Sequence, residues 1–238
     1  MEAFFISEVY RDEAGRRTIG VSPVAEKTCS FDCVFCGLGR TIIKVNEVQE
    51  IKGTADFLRR YVKALEEDEF EVVYFDPNGE ALANAAFGQM VSLAKSYGKI
   101  VRLLSNGWSF TDPLLQAALG ACDEITVEIM VATEADYQRI HRPIAGMTLA
   151  ENIQRIAQFQ KGFAGKLTLC FIALKGISDD VATAEYYCQV LRRVVPNRVE
   201  VATLSAGPSS DPLLADEETL CQMRKTVSAC FNDLSEAK

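Results

Sequence analysis

Three of the eight cysteines fall within one short stretch of this chain. Cys29, Cys33 and Cys36 are spaced C-x3-C-x2-C, and an aromatic residue, Phe35, precedes the last of them. Three thiolates on one loop can hold three irons of a [4Fe–4S] cluster, where an ordinary electron carrier uses four cysteines. The fourth iron then stays open to a small ligand. Other chemistries compete for the same residues. A structural zinc site normally closes with four ligands, yet the only histidine, His141, is far along the chain and no second C-x-x-C occurs. A disulfide with a spare thiol lacks the support of a wider cysteine framework. Buried cysteines also cluster simply by packing as small hydrophobes. Zinc is the main alternative to the cluster.

The spacing and the aromatic resemble the signature of the radical S-adenosylmethionine (SAM) superfamily. There the open iron chelates the amino and carboxylate groups of the methionine part of SAM. The resemblance implies that Cys29, Cys33 and Cys36 are the cluster ligands and that Phe35 packs near the adenine.

Such a loop needs a scaffold. At 238 residues the chain suits one large α/β domain, since such domains commonly run to about 200–250 residues. Nearly half the residues are apolar, 48%, enough for a sizeable core. No unbroken apolar run of about 18 residues suggests a membrane span. The opening residues, Met1 to Phe5, lack the basic region of a secretory signal, and a reducing cytoplasm is the expected compartment. The formal charge of −8 sets the average surface against polyanions.

Hydrophobic periodicity alternates strand with helix. Strands are predicted at 18–22, 70–75, 100–104, 124–131, 166–174 and 198–204. Helices are predicted at 54–67 with Thr54 as N-cap, at 82–97 stopped by Gly98, and from Asp112 and Pro113 as N-cap and first residue. Others are predicted at 134–140, 149–163, 180–194 and 216–231. Six strand–helix units fall short of the closed eight-strand barrel. They are the number expected of the partial (β/α)6 barrel of radical SAM enzymes, in one domain with a core at about 18–205 and a closing helix at 216–231.

Sites in α/β barrels gather at the C-terminal strand ends. After the second strand comes Asn78-Gly79-Glu80, a turn signal in its own right. Its position matches the superfamily motif that receives the SAM amino group, which implies Gly79 as the close backbone approach and Glu80 as the anion. After the third strand, Ser105 and Asn106 precede Gly107, either as a capped turn or as a contact to the SAM ribose or carboxylate. In the fourth strand, Glu128 is a charge that a strand covered on both faces does not bury without a partner. An inward Glu128 could accept the ribose hydroxyls, and a salt-bridged or rim carboxylate is the alternative.

A narrower resemblance covers about residues 18–205. Gly20, Lys27-Thr28, the cysteine loop to Thr41, Asn78-Gly79-Glu80, Ser105-Asn106-Gly107, Ile140-His141-Arg142-Pro143 and Leu174 to Asp179 look like the wyosine-type tRNA-modifying Fe–S oxidoreductases and their relatives. Two segments depart from that pattern. The fourth strand reads Glu128-Ile129-Met130-Val131 in place of Ser-Leu-Asp-Ala, and the sixth strand ends Leu204-Ser205-Ala206-Gly207 in place of a basic Arg-Pro segment. No cysteine precedes Cys29, so the second cluster of that subfamily has no ligands. The resemblance implies Arg142 as a contact to the SAM carboxylate and Leu204 in an apolar lining of the adenine. His141 reads as an ordinary helix-end residue, and Cys122, Cys170, Cys188, Cys221 and Cys230 as core packing.

The expected activity is reductive cleavage of SAM to a 5′-deoxyadenosyl radical that abstracts hydrogen from a small molecule or peptide. Its cofactors are a [4Fe–4S] cluster and SAM, and its electron donor is a carrier such as flavodoxin or ferredoxin. Three alternatives stand beside it: an activase that makes a radical on a partner protein, a wyosine-like tRNA modification, and a non-catalytic Fe–S or zinc protein. With 25 basic against 33 acidic residues, scattered as Arg59-Arg60 and Arg192-Arg193 and set against Glu66 to Glu69, a nucleic-acid substrate is not expected.

Overall fold

A computed structural model describes residues 4–67, 69–207 and 209–236. Met1 to Ala3 of the opening segment and Asp68 of the acidic run lie outside them. Two short strands, β1 (Phe5–Ile6) and β2 (Tyr10–Arg11), lead into β3 (Arg17–Ser22) and both pair antiparallel with it. Next come β4 (Thr28–Cys29) and β5 (Ile43–Lys44), a separate two-stranded parallel ladder that brackets the cysteine loop. The chain then runs through α1 (Thr54–Glu66), β6 (Val72–Phe75), α2 (Phe87–Ser96), β7 (Ile100–Ser105), α3 (Gln116–Gly120) and β8 (Glu124–Ile129). It continues with a one-turn α4 (Glu134–Asp136), α5 (Leu149–Gln160), β9 (Lys166–Ile172), α6 (Val181–Val194), β10 (Arg198–Ala202) and α7 (Glu217–Glu236). Strand order is β1-β3-β6-β7-β8-β9-β10, and every pairing from β3 to β10 is parallel. The six expected strands are these six, in a sheet that, among the described residues, shows no pairing of β10 with β3.

Alternation along the strands sorts the two faces. In β7 and β8, Val101, Leu103, Ile125 and Val127 are fully buried, while Arg102, Leu104, Glu124, Thr126 and Glu128 between them are only partly so. A period of two sends the first set to the helix layer and the second to the concave side of the sheet. The helices answer with their own spacing: Phe57, Tyr61 and Leu65, four residues apart, form the buried stripe of α1. Fully burying a Leu, Phe or Val side chain contributes roughly 1.5–3 kcal/mol, so these faces supply most of the scaffold's stability.

Several boundaries differ from expectation. Gly53, at φ +93°, is the residue before α1, and Thr54 is its first residue, with its hydroxyl donating back to the Ile51 carbonyl. The helix expected at 82–97 is split. A 3-10 turn at Ala81–Ala83 comes first, and Asn84 Oδ1 accepts from Ala86 N before α2 begins at Phe87. Asp112 accepts from Leu114 N and so caps a turn, which delays α3 to Gln116. The helix expected to reach Ile140 turns into a π-helix over Tyr137–His141, and Arg142 ends it at φ +43°. Where side chains supply clean caps, the expectation holds more closely. Thr148 accepts from Glu151 N ahead of α5 and Asp180 from Thr183 N ahead of α6.

Of the five remaining cysteines, Cys122, Cys170 and Cys188 are buried in the core and Cys230 packs against it, as expected, but Cys221 is exposed. Cys188 of α6 and Cys230 of α7 are moreover joined in a disulfide. The two bonded residues are separated by 42 positions and meet only because α6 and α7 pack side by side, a contact no spacing rule anticipates. No helix among the described residues is long and apolar enough to cross a membrane.

Candidate functional site

The cysteine loop leaves β4 and returns through β5, with Thr28 opposite Ile43 and Cys29 opposite Lys44. Polar anchors fix its path. Asp32 is buried, accepts from Thr41 N at 2.9 Å and pairs with Arg40 at 2.7 Å. Burial works against its charge, but the Thr41 N–H and Arg40 together hold the carboxyl below its ordinary pKa. The π-helix docks from outside, its His141 and Ile140 carbonyls accepting from Asp32 N and Val34 N at 2.9 Å each. Single-turn π segments widen a helix and re-aim its side chains. Here the result is that His141, buried, packs between Phe31 and Phe35 and sets Nδ1 3.3 Å from Cys33 Sγ. His141 does end a helix, as its sequence position suggested, and it also lines the cavity. Burial pushes its pKa down to about 4, so it is neutral at pH 7.

The turn after β6 meets this loop through its backbone. Gly79 forms a parallel bridge with Thr28, and Glu80 N donates to the Thr28 carbonyl at 2.8 Å. Gly79 sits at φ +142°, and a Cβ there would lie 2.1 Å from the Thr28 oxygen. Only glycine fits. Glu80 is buried and accepts from Ser105 Oγ at 3.1 Å, Asn106 N at 3.0 Å and Leu82 N at 3.3 Å. Burial raises its pKa to about 7 against the pull of those three donors. Asn106 carries the network onward: its Nδ2 donates to Ser30 Oγ at 3.1 Å and approaches Cys29 Sγ at 3.8 Å, and its carbonyl accepts from Asn152 of α5 at 3.2 Å. Of the two readings posed for Ser105 and Asn106, the capped turn is seen, with Ser105 Oγ accepting from Gly107 N and Asn106 Oδ1 from Trp108 N, and both residues line the cavity described next.

These residues surround a cavity of about 240 Å³. Cys29, Cys33, Cys36 and Phe35 line it together with Gly79, Glu80, Ser105, Asn106, Glu128 and His141. A second cavity of about 620 Å³ shares Phe35, Cys36, Glu128 and Met130 with the first and is bounded by Ile172, Leu204 and the 205–210 turn. Two sequence candidates fall outside both. Asn78 uses its backbone N–H to bond Ser22 Oγ, and Arg142 is exposed beyond the left-handed turn. Asp76, Met130, Lys27 and Phe31 line the first cavity without having been given a site role from the sequence. Asp76 follows a strand directly, and that position was the available signal. Glu128 is in no ion pair among the described residues. Burial, then the neighbouring Asp76 charge, pushes its pKa up to about 7.

The thiols of the loop are held in an environment that disfavours their charge. Burial pushes the Cys29 thiol up to about 12, with the Glu80 and Cys36 charges adding to it. Cys33 is raised well above its ordinary value by burial, Cys29 and Cys36. Bound iron relieves that mutual repulsion by taking the thiols as thiolates. The three thiols line one cavity, which matches the three-cysteine ligand set of a four-iron cluster with one iron left open.

No protein-family model matches the chain. The UPF0026 protein slr1464 of Synechocystis sp. is 30% identical over 187 residues, covering 78% of this chain and 69% of that protein. The chain belongs to the UPF0026 family. It spans about two thirds of the length of the curated family members it matches. Among solved structures, TYW1 with a lysine-pyruvate adduct bound superposes with a TM-score of 0.65 at 12% identity, over 89% of this chain and 73% of that one. A radical SAM methyltransferase from Sphaerobacter thermophilus gives 0.61 at 14% identity, over 97% and 75%. This UPF0026 chain thus has the partial-barrel fold of radical SAM enzymes, as its cysteine loop led one to expect.

Proposed function

We infer that this UPF0026 chain is a radical SAM enzyme whose substrate is a small molecule or a peptide. The observation that carries the reading is the convergence of three loop thiols, the Gly79-Glu80 turn and Glu128 on one cavity at the C-terminal ends of parallel strands. Cys29, Cys33 and Cys36 would hold a [4Fe–4S] cluster. When bound, that cluster supplies the electron that splits SAM into methionine and a 5′-deoxyadenosyl radical.

The chain's own groups have separable tasks. Three protein donors occupy Glu80, so it keeps one acceptor position of roughly four for an ammonium group while holding the third-strand turn in place. Glu128, unpaired and shared by both cavities, offers a carboxylate to hydroxyls. Phe35 and Leu204 give the second cavity apolar walls for a flat ring. His141 is neutral and packed, and its role is to back Cys33 without adding positive charge. Apolar burial around the loop keeps water from the reacting centre.

Anaerobic reconstitution tests this directly. About one four-iron cluster per chain is expected, with an electronic spectrum that changes when SAM is added, and Cys29→Ala, Cys33→Ala or Cys36→Ala should each abolish it. A colourless protein holding one tight zinc through these residues would overturn the reading.

A further inference from the structure

Lys27 carries a charge to which nothing described so far gives a task. It stands two residues before Cys29 and lines the first cavity together with all three loop thiols. It is only 8% exposed. A lysine so buried normally has an acid for a partner, because an ammonium taken out of water without one is costly. Lys27 forms no ion pair among the described residues. Asp32, the buried acid of the same loop, is engaged by Arg40 at 2.7 Å and by Thr41 N at 2.9 Å. The Lys27 ammonium donates instead to a neutral group, the Gly39 carbonyl.

That contact ties the charge to the cysteine loop. Gly39 N donates to the Cys36 carbonyl at 3.0 Å, and Cys36 N to the Cys33 carbonyl at 3.3 Å. At its other end, the Lys27 carbonyl accepts from Ile42 N at 3.0 Å and Ile43 N at 3.1 Å. The ammonium therefore reaches bulk water only by giving up the loop. Burial is the main influence raising the Cys29 and Cys33 thiols, and the Lys27 charge works against it at both. No other Lys or Arg among the described residues lines either cavity, and His141 on the same wall is neutral at pH 7. A fixed cation beside three thiols has one evident counter-charge. A four-iron core bound by three thiolates is a net anion, and reduction adds one more negative charge to it. In a site of low effective dielectric, a held charge on the same wall separates those two states in energy.

We propose that the Lys27 ammonium is the fixed counter-charge of the cluster and raises its reduction potential, a proposal that rests on the radical SAM reading. In the step concerned, one electron passes from an external one-electron reductant to the cluster, and no bond forms or breaks. Lys27 favours the reduced side of that equilibrium.

The test is an anaerobic redox titration of the reconstituted full chain, followed by the electron paramagnetic resonance of the reduced cluster. It is done without SAM, so that a contact between Lys27 and the SAM carboxylate cannot produce the shift. Lys27→Gln removes the charge and keeps an N–H for the Gly39 carbonyl, Lys27→Met removes both, and Lys27→Arg keeps both. At a set potential, Lys27→Gln and Lys27→Met should each lower the ratio of reduced to oxidised cluster about tenfold. For one electron that is a shift of about 59 mV to lower potential. Lys27→Arg should stay within about threefold of wild type. Where Lys27→Met does not hold a cluster, the Gln and Arg variants decide. Lys27→Gln at the wild-type potential would overturn the proposal, since the hydrogen bond and not the charge would then be what counts. Loss of the cluster from both neutral variants would also overturn it and make Lys27 a requirement for assembly of the loop. A wild-type chain that takes up no four-iron cluster would instead overturn the radical SAM reading, so the two failures are told apart.

Discussion

Gly79 offers the sharpest test of how the site is built. Two of the glycines with positive φ stand in opposite circumstances. Gly98, at +70°, would place a Cβ in open space, whereas Gly79, at +142°, would place it 2.1 Å from the Thr28 carbonyl oxygen. Replacing either by Ala costs about 1–2 kcal/mol for a backbone conformation that L residues avoid. Gly79→Ala must in addition move one chain away from the other. That breaks the 2.8 Å bond from Glu80 N to the Thr28 carbonyl, and an unsatisfied buried group costs about 1–3 kcal/mol. Gly79→Ala should therefore lose roughly 2–5 kcal/mol and Gly98→Ala roughly 1–2. The extra cost of about 1–3 kcal/mol, at about 2–4 °C per kcal/mol for a domain of this size, should separate the two melting temperatures by roughly 2–12 °C. Thr28 adjoins Cys29, so Gly79→Ala should also lower iron uptake on reconstitution and Gly98→Ala should not. Thermal unfolding by circular dichroism and iron content per chain are the measurements. Equal melting temperatures with full iron content in both variants would show that the contact between the two segments is incidental.

Glu80→Gln should preserve the shape of the turn yet weaken SAM binding about tenfold, since a charge-assisted bond contributes about 1.5–3 kcal/mol; unchanged affinity would make Glu80 a purely internal clamp. Folding raises the Glu128 pKa from an ordinary 4.5 to about 7, so the folded chain binds the extra proton between those values. The stability Glu128 contributes is complete below about pH 4.5 and is lost as pH rises through 7. Glu128→Gln should thus match wild type in urea unfolding at pH 4 and exceed it at pH 8 by at most roughly 3 kcal/mol, and a difference that does not change with pH refutes this. His141 has the opposite sign: its pKa falls to about 4 from 6.5, so its contribution is present above about pH 6.5 and lost as pH drops through 4, and His141→Phe should blunt acid unfolding across that window. Bulk tRNA should bind weakly, because Lys27 is the one Lys or Arg among the described residues that line the two cavities, well short of the roughly 6–10 phosphate contacts that give strong salt-dependent binding. Submicromolar, salt-sensitive binding to tRNA would refute that expectation.

Much of the arrangement was written locally. The cysteine spacing places three thiols on one loop whatever surrounds them, and the two-residue alternation of Ile100–Ser105 and Glu124–Ile129 marks strands because burial of one face requires it. Six such strands alternating with helices admit few topologies, and that is why the parallel sheet and the strand-end location of Glu80, Ser105 and Asn106 were legible. What sequence could not decide is where separate segments touch. Glu80 is occupied by donors from a turn 25 residues later, and His141 reaches Cys33 across 108 positions through a π-helix that has no composition signal. Arg142 leaves the site because the chain turns left-handed at that residue, although its neighbours resemble a binding motif. Cys188 and Cys230 find each other only once α6 and α7 are packed. Local patterns are set by each residue's own backbone and its near neighbours. Contacts between distant segments are set by which surfaces the whole core brings together, and only the tertiary structure holds that information.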